Sequence, residues 1–268
     1  AFPYLLLTWG VLYPNFLATA LLPLALGFVH VALRPQVLPD AGPRAALWIA
    51  AVGALGAASL AHPNAAFACA IIVLPPLLAS ANDVRRSALA PGAKTIRYGA
   101  LLLALIAMVA MWSLVYVDDN NKQYESSLVQ GVGSALGNAP MVDAKAWFIS
   151  VFVIAGAVLL LARRRHRWLV ASYVMIIAFY AISVGLDGPL RTALTVAWYN
   201  DAARLAALLP IATIPLAAIA ASSLLEIVSA GISRARSVPT GPRTSRFLPA
   251  IALIAVMAIV LTGARGAN

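Results

Sequence analysis

The heptapeptide Trp198-Tyr199-Asn200-Asp201-Ala202-Ala203-Arg204 stands at the mouth of a long apolar segment, residues 205–228. Asn200 or Asp201 can accept the free N–H groups of a helix that starts there. Asp201 and Arg204, three apart, fall on one helical face and can pair. A helix N-terminus beside a guanidinium favours an anionic or hydroxyl-rich ligand. Without a ligand the same residues make a helix cap, an internal ion pair and two interfacial aromatics. The flat faces of Trp198 and Tyr199 also suit stacking on a sugar ring.

Other polar groups interrupt apolar sequence in a similar way. Tyr13-Pro14-Asn15 opens one apolar run, and His62-Pro63-Asn64 separates two others. Asp118-Asp119-Asn120-Asn121 combines carboxylates with amides, a set suited to sugar hydroxyls or a metal. Asp187-Gly188-Pro189 adds a further carboxylate in a turn. Each has a plainer role available. His62 can be a satisfied interfacial histidine, Asn64 a helix cap, and the acidic stretch a solvated loop.

The chain contains no G-x-x-x-x-G-K-[ST] phosphate loop, no H-E-x-x-H and no G-x-S-x-G. Cys69 is the single cysteine, which excludes a disulfide framework and Cys-based metal spacing. No metal site or cofactor is expected. Only His30 and Glu226 place ionisable groups well inside apolar runs, both towards one end, whereas ion-coupled transport calls for such groups at mid-depth.

The elements that position these residues follow from composition. The chain has 268 residues, 62% hydrophobic and 10% charged, with a mean hydropathy of +0.90. Soluble domains carry about 25% charged residues. Apolar runs of membrane-spanning length recur throughout, which predicts an all-α polytopic bundle forming a single transmembrane domain, 1–268. We place eight spans at 15–33, 44–61, 65–81, 98–117, 146–162, 168–186, 205–228 and 247–262, with short interfacial helices in the outer loops. Pro75-Pro76 should kink or end the third span, and Pro210 and Pro215 should bend the seventh. Gly53 and Gly56 predict close helix contact in the second.

Net charge is +10. Fourteen of the nineteen Lys and Arg side chains fall in loops 34–44, 85–97, 163–167 and 234–246. That asymmetry assigns those loops to the cytoplasm and the polar motifs to the outer face of the cell membrane. The basic residues read as orientation signals and lipid contacts, not as a nucleic-acid surface. The chain opens inside an apolar stretch without a basic leader, as expected of a piece trimmed at its front.

Tyr13-Pro14-Asn15, His62-Pro63-Asn64 and Trp-Tyr-Asn-Asp-x-x-Arg, each at a span boundary, resemble a multi-pass membrane family of actinobacteria. That family is similar to the GT-C integral-membrane glycosyltransferases. The resemblance implies transfer of sugar from a polyprenyl-phosphate donor onto cell-envelope glycans or glycolipids, outside the membrane. It also implies that this chain is the C-terminal part of a larger GT-C-like domain. The expected binding residues are Tyr13, Asn15, His62, Asn64, Trp198, Tyr199, Asn200 and Arg204. Asp118, Asp119, Asp187 and Asp201 are the candidates for the catalytic carboxylate. A transporter or flippase of lipid-linked saccharide, and a non-catalytic envelope-assembly subunit, are the alternatives.

Overall fold

A computed structural model of the chain describes residues 5–8, 12–33, 41–115, 126–141 and 145–236. Among these, every regular element is helical. In order they are α1 (Leu5–Thr8), α2 (Tyr13–Ala32), α3 (Ala41–Ala61), α4 (Asn64–Arg86), α5 (Pro91–Ser113) and α6 (Leu128–Leu136). There follow α7 (Trp147–Ala162), α8 (Arg167–Gly185), α9 (Pro189–Thr195), a 3-10 turn (Val196–Trp198), α10 (Ala202–Ala206) and α11 (Leu209–Arg236).

Six helical segments among the described residues are long and apolar enough to cross a membrane: α2, most of α3, α4, α5, α8, and the stretch Ala202–Ala230. The chain is therefore a membrane-embedded helical protein. α7, expected as a span, is apolar but has only 16 residues. At 1.5 Å per residue it measures about 24 Å, short of a hydrocarbon core of about 30 Å. The expected span 247–262 lies outside the described residues.

α4 is the central helix, with residues from Asn64 to Val84 buried along its length. It runs unbroken through Pro75 and Pro76, contrary to the expectation that they might end it. Proline at 76 removes the N–H that would bond the Ile72 carbonyl. The buried Ser172 hydroxyl of α8 donates to that carbonyl at 2.8 Å. A freed backbone acceptor is thus satisfied from a neighbouring helix.

Glycine permits the closest helix approaches, but not at the positions expected. A Cβ at Gly53 or Gly56 would meet nothing within 4 Å. At Gly156 of α7 it would overlap the Leu216 carbonyl of α11, and at Gly131 of α6 it would strike Val184 and Ala181 of α8. α6, the expected interfacial helix, is started by a capping box between Ser127 and Gln130. α5 has no buried residue at all. Its side chains Leu103 and Val109 stand out as they would towards lipid.

The seventh apolar segment is not one straight helix. α10 ends at Ala206, and the chain breaks at residues 207–208 before α11 restarts ahead of Pro210. Pro210 therefore sits in the first turn of α11, where a missing N–H costs nothing, and only Pro215 lies inside the helix.

Among the described residues, Arg44, Arg86, Arg97 and the arginines of the α7–α8 turn gather at one end. The ends of α2 and α4, the starts of α3 and α5, and the α7–α8 turn surround two adjoining cavities there. α4 has 23 residues, which separates its two ends by roughly 34 Å. The His62 turn stands at the opposite end.

Candidate functional site

The segment between α8 and α11 is held by an arginine that sequence reasoning counted only as a charge. Arg191 of α9 is 3% exposed, and its guanidinium bonds two backbone carbonyls. Nε donates to Ser183 at 3.1 Å and Nη2 to Asn200 at 3.1 Å. This staples the start of the heptapeptide to the end of α8. Tyr199 and Asn200 both take left-handed backbone, at φ 58° and 52°. Asn tolerates that region, while for Tyr it costs about 1–2 kcal/mol. The turn is held by Asn200 N–H to the Thr195 carbonyl (3.2 Å) and by the Thr195 hydroxyl to Asn200 Oδ1 (2.8 Å). Thr195, like Arg191, carried no signal in the sequence beyond being polar.

The reversal turns Asp201 and Arg204 towards the α3–α4 turn. Asp201, not Asn200, is the cap: its Oδ1 accepts the Ala203 N–H at 2.9 Å. Arg204 Nε lies 3.5 Å from Asp201 Oδ2, and the guanidinium carbon stands 4.4 Å over the Tyr199 ring. Arg204 Nη1 reaches His62 Nε2 at 3.2 Å, joining residues 142 positions apart. The His62 ring also meets Tyr199 edge-on, with centroids 6.0 Å apart.

His62 is placed by α4 itself. Its Nδ1 accepts the N–H of Asn64 at 3.3 Å, satisfying one of the amides left free at the helix start. A neutral imidazole has one acceptor nitrogen. The Asn64 N–H at Nδ1 and the Arg204 N–H at Nε2 therefore compete for it, and the ring tautomer decides which of the two bonds forms. Burial and the Arg204 charge hold His62 below its usual range, with a hydrogen bond between the ring and the Asn64 side chain offsetting part of the effect. Arg204 Nε is itself buried without a hydrogen-bond acceptor. The site thus joins a neutral histidine and a guanidinium, with the Asp201 carboxylate beside the latter.

The remaining expected residues divide. Asn64 is buried beside His62. Asn15 is buried in α2, with Nδ2 unbonded, while Tyr13 is 64% exposed at the start of the same helix. Trp198 is neither an interfacial aromatic nor open to a ligand. It is 0% exposed among Phe67, Trp112 and Phe179, at ring distances of 5.8–6.4 Å. Its place in an aromatic core follows from the 3-10 turn, which points it inward and leaves Tyr199 at the mouth. Asp187 is exposed after α8 and makes no ion pair with Arg204. Asp118 and Asp119 lie outside the described residues. Among the described residues, no three His, Cys, Asp or Glu side chains converge on a metal position.

A family model described as a family of unknown function (DUF6541) matches residues 1–268, the whole chain. The chain belongs to the DUF6541 family. No curated protein and no solved structure matches this member of the family. Within DUF6541, the chemistry of this member therefore rests on its own residues, and the Arg204–His62 meeting is the most specific arrangement among them.

Proposed function

We propose that the Arg204–His62 group takes the phosphate of a polyprenyl-phosphate-linked sugar. On this proposal the chain works as a glycosyltransferase-like membrane protein on cell-envelope glycans or glycolipids. One observation carries it: side chains from two distant segments meet at one point, the Arg204 guanidinium 3.2 Å from the His62 ring at the start of α4. A phosphate oxygen would accept from the guanidinium, and from His62 in the tautomer that carries its proton on Nε2. The guanidinium fork suits such oxygens, and charge-assisted hydrogen bonds are about twice as strong as neutral ones.

Asp201 holds Arg204 and caps α10, so its role is to position the guanidinium. Asp187, Asp118 and Asp119 stand as the candidates for a base or a sugar-hydroxyl ligand. By the basic asymmetry, the Arg163–Arg167 turn is cytoplasmic and the Arg204–His62 group faces outward at the plasma membrane. In a Cys69→Ser background, impermeant thiol labelling of intact cells should reach a cysteine at Asp187 and not one at Arg165. The reverse pattern would invert the site.

The functional test compares polyprenyl phosphate with polyprenol of equal length, using purified protein. Preference for the phosphate, lost in Arg204→Gln, supports the site; equal binding of the two lipids rejects it. Sugar transfer to a glycan acceptor then separates the enzyme from the alternatives. Phosphate-lipid binding without transfer would make the chain a carrier or an assembly subunit.

A further inference from the structure

We infer that the other end of the bundle holds a second site, for a phosphate-bearing membrane lipid with its headgroup among arginines and an acyl chain between helices. It does not depend on the function proposed above. A cavity of about 760 Å³ opens there between the ends of α2 and α4 and the α7–α8 turn. Arg86, Arg164, Arg165 and Arg167 line it against a single carboxylate, Asp83. Four cations to one anion is a wall that attracts a phosphate, and Arg is the side chain whose fork fits one.

The cavity adjoins a second one at its inner wall. His30, Pro76 and Trp168 line both it and an apolar cleft of about 440 Å³. His30 and Trp168 lie with ring centroids 4.4 Å apart, and the Trp168 indole marks the polar–apolar boundary, as such rings do in membranes. Beyond them the cleft is walled by Leu26, Ile72, Ile211, Ile214 and Pro215. Ile72 lies on α4 about 21 Å from Arg86, at 1.5 Å per residue. Gly27 leaves this cleft open, since a Cβ there would meet nothing within 4 Å. A small anion would use the arginines and leave the apolar arm empty. A neutral lipid would use the arm and leave the arginines without a counter-charge. A lipid phosphate occupies both at once.

Native mass spectrometry of the detergent-purified protein tests this with phosphatidylglycerol and with diacylglycerol of the same chains. A parallel thermal-unfolding series uses inorganic phosphate. Phosphatidylglycerol should be retained over diacylglycerol and should stabilise the fold more than inorganic phosphate does. Arg164→Gln/Arg167→Gln should weaken retention about thirtyfold. The control pair Arg97→Gln/Arg163→Gln removes the same charge from side chains outside this cavity and should leave retention near wild type. Gly27→Leu extends a side chain into the cleft from a position where a Cβ meets nothing within 4 Å, and should weaken retention while the protein stays folded. Equal losses in both Arg pairs would mean general attraction to a basic surface and overturn the site. Stabilisation by inorganic phosphate equal to that by phosphatidylglycerol, with Gly27→Leu silent, would mean a free-anion site and overturn the lipid. Undiminished retention in Arg164→Gln/Arg167→Gln would also overturn it.

Discussion

Changing Arg204 separates what this side chain does for folding from what it does for a ligand. Its guanidinium makes three contacts: Asp201 at 3.5 Å, the Tyr199 face at 4.4 Å and His62 at 3.2 Å. Arg204→Gln removes the charge from all three. An exposed pair at this spacing would be worth only about 0.2–0.5 kcal/mol. Asp201, however, is 1% exposed, and deleting one partner of a buried pair costs about 3–5 kcal/mol. Asp201 keeps the Ala203 N–H, and Arg204 is itself 13% exposed, so we set the loss lower, at about 1–3 kcal/mol. Arg204→Lys keeps a cation near Asp201 and Tyr199 but loses the fork. It should lie within about 1 kcal/mol of wild type in stability. It should still lose about tenfold in polyprenyl-phosphate affinity, the equivalent of one charged hydrogen bond. Thermal unfolding in detergent and lipid binding, measured on wild type and both variants, decide the matter. If Arg204→Lys binds as tightly as wild type, or Arg204→Gln destabilises without affecting binding, the phosphate role is refuted and the arginine serves only the fold.

The lowered pKa of His62 makes stability depend on pH. The unfolded chain takes up the proton first, near pH 6.5, so the stability present above that value is lost as pH falls towards the folded pKa. Unfolding midpoints should drop across that window, and His62→Gln should flatten the slope; an unchanged slope assigns it to other groups. Ser172→Ala leaves the Ile72 carbonyl without its donor and should cost about 1–3 kcal/mol in denaturant unfolding. Gly156→Leu drives a side chain into the Leu216 carbonyl and should separate α7 from α11, lowering the melting temperature by several degrees. A surface substitution such as Ile106→Leu on α5 provides the neutral comparison.

Most of the helical layout was legible because apolar runs and polar breaks are local signals. His62-Pro63-Asn64 and the Arg163–Arg167 turn fall where helices end. The pairing of His62 with Arg204 was legible only as a shared depth; that they touch depends on the left-handed turn at Tyr199 and Asn200, which ordinary side chains do not announce. Arg191 was missed because its bonds to the Ser183 and Asn200 carbonyls use backbone, which leaves no mark in residue type. Trp198 was misread because membership of an aromatic core needs Phe67, Trp112 and Phe179 from three other helices. The donor that satisfies the Ile72 carbonyl freed by Pro76, Ser172, stands one hundred positions away and left no mark near Pro75-Pro76. Gly53 and Gly56 were judged by type, whereas contact is set by what stands opposite.

α5 buries no residue, yet Trp112 near its end enters the aromatic core and donates to the Ala193 carbonyl at 2.8 Å. During synthesis such a helix can partition from the translocon into lipid largely on its own apolarity, before Leu101, Ala104 and Met108 settle against the core. Its outward positions, such as Leu103 and Val109, should accept exchanges among Leu, Ile, Val and Met with no effect on assembly. Trp112 then pins the far end of that rod against the α9 segment, while the Tyr98 hydroxyl donates to the Ala81 carbonyl near its start.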